Sequence, residues 1–212
     1  LAYTNPDVPP LLRGGANRAY HEAVGSLLGL AALQPRFVES IGLEVAPAAD
    51  PLQGLLREAL NYVVFIPFSA GTMTNWEHDL YAEDLSTDEW NARWWELARE
   101  YQGVVPPTED RAARGVPYND AATKTHINND AAQYYDYALS NVLLFQLHDH
   151  IAREILNEDP RDTNYYGRTE VGEFLTGILA PGATVDGNTL LEQATGSGLT
   201  AQPMLDYFAP LL

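Results

Sequence analysis

The stretch Asn17-Arg-Ala-Tyr-His-Glu-Ala-Val-Gly-Ser-Leu-Leu-Gly-Leu-Ala-Ala-Leu33 decides the fold class. Asn is a good helix N-cap, because its side-chain oxygen accepts a backbone N–H that the first turn leaves without a partner. Beyond it, Tyr20, Val24, Leu27, Leu28 and Ala31 recur at the three- and four-residue spacing of one helical face. The opposite side carries Glu22, Gly25, Ser26 and Gly29, small residues around a single carboxylate. Small residues let another backbone approach closely, so this side is expected to be buried as well. A helix apolar nearly all round belongs inside a large protein or a membrane.

The rest of the chain repeats this pattern. Glu22 is the only formal charge between Ala19 and Leu33, and there is none from Tyr137 to Leu147 or from Ala59 to Asn75. The last run is broken by Pro67 and diluted by Ser69, Gly71, Thr72 and Thr74, which makes it too short and too polar to span a bilayer. It reads as a buried helix kinked at proline. Three such helices in 212 residues point to one half of a larger α-helical body, with a partner segment covering what is exposed here.

Local signals place the other elements. Asp50 caps a helix with Pro51 at its first position, and Ser86 with Glu89 forms a capping box before Trp90, Trp94, Trp95 and Leu97. Gly103 stops that helix. Asp130 to about Leu156 reads as one long helix, followed by shorter ones near 170–179, 188–194 and 201–207. Joints fall near Asn5–Gly15, Ala46–Pro51, Gly103–Asn119 and Asp159–Gly167. Alternating Val- and Ile-rich runs are nearly absent, so the class is all-α.

Composition narrows the function. A net charge of −17 argues against nucleic acid or an anionic membrane as the main partner, since both need clustered cations. Without Cys there is no disulfide, thiolate ligand or Cys nucleophile. Eleven of the twelve cations are Arg, and Lys124 is the one Lys. No phosphate-binding Gly-rich loop, Gly-x-Ser-x-Gly elbow or His-Glu-x-x-His is present.

Two constellations could carry chemistry. An isolated buried carboxylate is costly unless paired or metal-bound, so Glu22 is either salt-bridged to an Arg, exposed at the first helical turn, or a metal ligand. Lys124 and His126 lie two apart, and an extended backbone would point both side chains the same way. Tyr134 and Tyr137, at i and i+3 of the following helix, share a face. Together they suit an anionic ligand and a developing oxyanion, or they are a surface Lys and His beside core tyrosines. His148-Asp149-His150 resembles a metal site by composition, yet successive helical residues diverge by ~100° and cannot easily share one ion. Trp94 and Trp95 read as packing.

Several motifs in order resemble the angiotensin-converting-enzyme family of zinc dipeptidyl carboxypeptidases, its bacterial members in particular. They are Arg13-Gly-Gly-Ala-Asn-Arg-Ala-Tyr-His-Glu-Ala-Val-Gly25, Val64-Phe-Ile-Pro-Phe68, Trp94-Trp95, Tyr101-Gln-Gly-Val-Val-Pro-Pro107, Lys124-Thr-His126, Tyr134 to Tyr137, Phe145-Gln-Leu-His148 and Tyr207-Phe-Ala-Pro210. The resemblance implies a mostly helical zinc-peptidase body with a central substrate cleft, of which residues 1–212 are the C-terminal half. It implies that Glu22 is the third zinc ligand, beside two His of a His-Glu-x-x-His helix. Lys124 and Tyr134 match residues that grip the substrate's C-terminal carboxylate. His126 matches one that bonds the peptide near the scissile bond, and Tyr137 the phenol that donates to the tetrahedral oxyanion. Members of the family are usually extracytoplasmic; the sequence itself fixes no compartment.

The departures are informative too. The His-Glu-x-x-His motif is expected just upstream of residue 1, so the zinc site is incomplete and the chain alone is expected to be inactive. Two Arg that bind activating chloride in the animal enzymes appear here as Ala98 and Asp136, and Ser26 stands where an acidic residue often supports the zinc shell. The resulting expectation is a zinc peptidyl-dipeptidase part, acting on peptides with a free C-terminus once joined to the N-terminal half. The alternative is a catalytically incomplete helical fragment that only binds peptide or a partner chain.

Overall fold

The computed structural model describes residues 2–45, 50–115 and 118–212. The joints at Ala46–Pro51 and Gly103–Asn119 therefore lie partly outside the described residues. The fold is all-α: about 66% helix, with no strand among the described residues. No helix there is long and apolar enough to cross a membrane. The chain forms two compact units, Leu1–Arg57 with Leu139–Leu212, and Glu58–Ala138.

In the first unit, helix α1 (Arg18–Leu33) starts as its sequence dictates, with Asn17 Oδ1 accepting the Tyr20 N–H at 3.2 Å. Helix α2 (Pro35–Ser40) follows at once, and α3 (Pro51–Ile66) begins after Asp50, whose side chain accepts from Leu52 N at 2.9 Å. The buried face of α1 is Ala19, Tyr20, Ala23, Leu27, Leu30 and Ala31. The Tyr20 hydroxyl donates to the Gly187 carbonyl at 2.6 Å, far along the chain.

The second unit holds the remainder of α3, then α4 (Thr74–Ala82), α5 (Trp90–Gln102) and the short α6 (Thr125–Asn129). Its core is Met73, Trp76, Trp94, Leu97, Ala121 and Tyr134. Proline at 67 has no N–H to give the turn before it, and the helix responds by widening: Pro67–Met73 is a π-helical segment joining α3 to α4. Ser69, Gly71, Thr72 and Met73 are buried, and the Tyr101 ring leaves no room for a side chain at Gly71. Residues 59–66 correct the sequence reading. No residue of α3 is buried, and Leu52, Leu56, Leu60, Val63 and Val64 make an exposed apolar stripe.

Gly103 ends α5 in the left-handed conformation, φ 67°, as expected of a C-cap glycine. The expected capping box shifts: the Ser86 hydroxyl does bond the Glu89 carboxylate, but inside a turn, and the helix starts at Trp90. The helix read from Asp130 starts five residues late. Helix α7 is Tyr135–His150, and Asp130–Gln133 form a turn with Ala132 left-handed at φ 57°.

Back in the first unit, α7 continues as a π-helical segment, Ile151–Ile155. Helices α8 (Thr169–Leu179), α9 (Gly187–Thr195) and α10 (Gln202–Phe208) match their expected ranges within two residues. Phe145 of α7 packs its ring 5.0 Å from Tyr207 and 5.3 Å from Phe208 of α10. His148 is fully buried, with Nδ1 2.7 Å from the Tyr165 hydroxyl and Nε2 2.6 Å from the Pro160 carbonyl. Its neighbour His150 stacks on Phe174 instead. The two imidazoles thus serve packing at separate places.

Candidate functional site

Lys124, His126, Tyr134 and Tyr137 all belong to the second unit, and the fold brings them together. It does so without the extended backbone that would point Lys124 and His126 the same way. Residues Ala121–Thr123 form a 3-10 turn, Lys124 alone is extended (φ −82°, ψ 118°), and Thr125 opens α6. His126 is therefore a helical residue. Tyr134 precedes α7 and Tyr137 lies in its first turn, where the Tyr137 N–H bonds the Tyr134 carbonyl at 3.2 Å.

The geometry around these residues is tight. Tyr134 and Tyr137 have ring centroids 4.9 Å apart, and the His126 ring meets Tyr134 edge-on at 4.9 Å. His126 Nε2 lies 3.1 Å from the Tyr137 hydroxyl. The Lys124 ammonium stands 5.2 Å above the Phe68 ring and 5.1 Å above the Tyr134 ring. Cation–π contact is worth about 0.5–2 kcal/mol, depending on desolvation. Among the described residues no carboxylate forms an ion pair with Lys124. In a chain with 29 acidic residues, a cation left to aromatic faces can still take an anion of its own.

Two residues that the sequence did not single out support this cluster. Ser69, fully buried in the π-helical segment, donates its hydroxyl to the Tyr134 carbonyl at 2.6 Å and accepts the Ala138 N–H at 3.1 Å. Glu77 of α4 is only 3% exposed, and its Oε1 accepts the Ala132 N–H at 2.8 Å. Burial pushes the Glu77 carboxyl above its ordinary range, opposed by the hydrogen bond from the Ala132 amide. Neither position carries a motif. The one available signal was an acid next to Trp76 in a helix.

Glu22 belongs to the other unit. Its carboxylate pairs with Arg18 one helical turn earlier, Nε to Oε1 3.4 Å, with both side chains about a third exposed (34% and 33%). Gly25, Ser26 and Gly29 are exposed, so within this chain that side of α1 is not buried. The residue type and helical spacing suffice for an ordinary i,i+4 ion pair. Among the described residues no three His, Asp or Glu side chains come together to hold a metal ion. A catalytic zinc takes three protein ligands and a water, and Glu22 could supply one of the three, so the described residues alone do not make up the ligand set.

Residues 1–212 match, end to end, the peptidase family M2 model described as angiotensin-converting enzyme. The chain belongs to the angiotensin-converting-enzyme family. It is 33% identical over 205 residues to the angiotensin-converting enzyme of Sus scrofa, covering 94% of this chain and 15% of that protein. Against the enzyme of Theromyzon tessulatum it is 29% identical over 211 residues, covering 97% of this chain and 33% of the relative. For Haematobia irritans exigua the figures are 31% over 214 residues, 96% and 34%. The chain thus spans about a third or less of the length of these angiotensin-converting enzymes.

Proposed function

We propose that this chain is the substrate-gripping part of a zinc peptidyl-dipeptidase, a protein that releases dipeptides from peptide C-termini. The observation that carries the reading is Lys124. It is the one Lys in a strongly acidic chain, it is held over two aromatic rings without a carboxylate partner among the described residues, and it sits beside an imidazole and two phenols. A compact ammonium suits a terminal carboxylate. With Tyr134 next to it, Lys124 would fix the distance from a substrate's C-terminus to the bond cut. His126 would bond the peptide backbone near that bond, and Tyr137 would donate to the oxyanion.

Zinc, when bound, would polarise the scissile carbonyl and its own water. In this reading Glu22 supplies one ligand, giving up Arg18 for the ion. The remaining ligands and the general base come from the N-terminal half, the partner that would also cover the exposed stripe of α3. Family membership supports a peptidase-type activity, and a net charge of −17 supports a peptide rather than a nucleic-acid substrate.

The test is metal analysis and product mass spectrometry on the full-length protein. About one zinc per chain, dipeptides from a free-acid peptide, and loss of zinc in Glu22→Gln are expected. Peptide binding without any cleavage, and no zinc, would establish the non-catalytic alternative instead.

A further inference from the structure

We propose that Glu77 is a positioning residue of the Lys124, His126, Tyr134 and Tyr137 cluster, acting through the turn at Ala132. The proposal rests on the peptidase reading for its kinetic readout and on geometry for the rest.

The path between the two halves of the cluster is short. His126 is in α6, which ends at Asn129, and Tyr134 follows only five residues later. Those intervening residues set where both phenols stand relative to the imidazole. Within them Ala132 adopts φ 57°, a conformation that costs a residue with a Cβ roughly 1–2 kcal/mol. Such a turn persists only if its surroundings hold it. What holds it is the Glu77 carboxylate, which accepts the Ala132 N–H from inside the core. Keeping a carboxylate 3% exposed is itself costly, so a neutral or apolar residue would be favoured there unless the acceptor were needed.

Ser69 braces the other side of the same segment, at the Tyr134 carbonyl and the Ala138 N–H. In an unbroken α-helix Ser69 and Glu77 would point ~80° apart. The π-helical segment Pro67–Met73 has wider turns, which take up that difference, so that Glu77 meets Ala132 while Ser69 meets Tyr134 and Ala138. The widened turn at proline thus has a consequence at the cluster, which it reaches through two buried side chains.

Glu77→Ala and Glu77→Gln, each in the full-length protein, test this by kinetics of dipeptide release and by crystal structures. The Gln amide oxygen still accepts from Ala132, so Glu77→Gln should keep kcat/KM within about threefold and keep the His126–Tyr137 contact. Glu77→Ala should lower kcat about tenfold or more, with KM less affected, and the contact should open. If Glu77→Ala alone does not fold, the comparison is made against Ala132→Gly, which has no left-handed strain to resist. An intact contact in the Ala variant, or equal damage in both variants, would overturn the proposal. Failure of the wild-type protein to release dipeptides would overturn the functional reading instead, while the structures still decide the role of Glu77.

Discussion

The Tyr137 hydroxyl stands 3.1 Å from His126 Nε2, while the other ring nitrogen of His126 is buried without a hydrogen-bond partner among the described residues. A buried N–H left unpaired costs more than a lone pair left unpaired, because a donor forfeits its single bond outright. The favoured tautomer therefore carries its proton on Nε2 and donates it to the Tyr137 oxygen. The phenol's own proton then points away from His126.

That orientation leads to a first prediction. In the full-length protein Tyr137→Phe should lower kcat for dipeptide release by about 10²–10³-fold, the loss typical of one oxyanion donor, with KM little changed. Steady-state kinetics on one peptide checks it. An unchanged kcat would remove Tyr137 from the chemistry.

Stability gives a second prediction, independent of function. Burial holds the His148 imidazole below its ordinary pKa, and both ring nitrogens are satisfied in the neutral form: Tyr165 donates to Nδ1 and Nε2 donates to Pro160. The unfolded chain binds a proton near pH 6.5 where the folded chain does not. The contribution of His148 is therefore complete above that pH and is lost as pH falls below it. Tyr165→Phe should cost about 1–3 kcal/mol by leaving Nδ1 unpaired. Thermal melting across pH 5–8, compared between wild type, Tyr165→Phe and His148→Gln, should show the shallowest acid loss in the Gln variant.

A third prediction concerns chloride. The family resemblance implies that Ala98 and Asp136 stand where the animal enzymes use Arg to bind activating chloride, and both are buried here. A buried acid and a methyl group cannot hold that anion. Replacing chloride with acetate at constant ionic strength should leave the rate unchanged. Strong activation by chloride would contradict the assignment.

How far the sequence could be read depended on whether the deciding chemistry was local. The caps at Asn17 and Asp50, and the stop at Gly103, are set by residues within a few positions of the backbone they serve, and the structure places all three as expected. The helix read from Asp130 starts only at Tyr135, and the turn before it bonds Glu77, 55 residues earlier, a contact no local signal shows. Lys124 is extended but His126 lies in α6, so an extended backbone is not what brings the two together. The four cluster residues were still correctly grouped, since sequence proximity and the family motifs both pointed there. Burial was the least legible property. The charge-free run from Ala59 and the small residues on the Glu22 side of α1 marked both for burial, yet within this chain α3 and that side of α1 are exposed, and such a face does not say which segment meets it.

In the proposed function Lys124 grips the free carboxylate of the substrate. The most direct measurement compares cleavage of one peptide as its C-terminal acid and as its amide, by the full-length wild type and by Lys124→Ala. The acid should be preferred strongly by the wild type. Lys124→Ala should lose about 10–100-fold on the acid, the worth of one charged hydrogen bond, and nothing on the amide. Equal cleavage of both peptides by the wild type, or an equal loss on both in the variant, would contradict it.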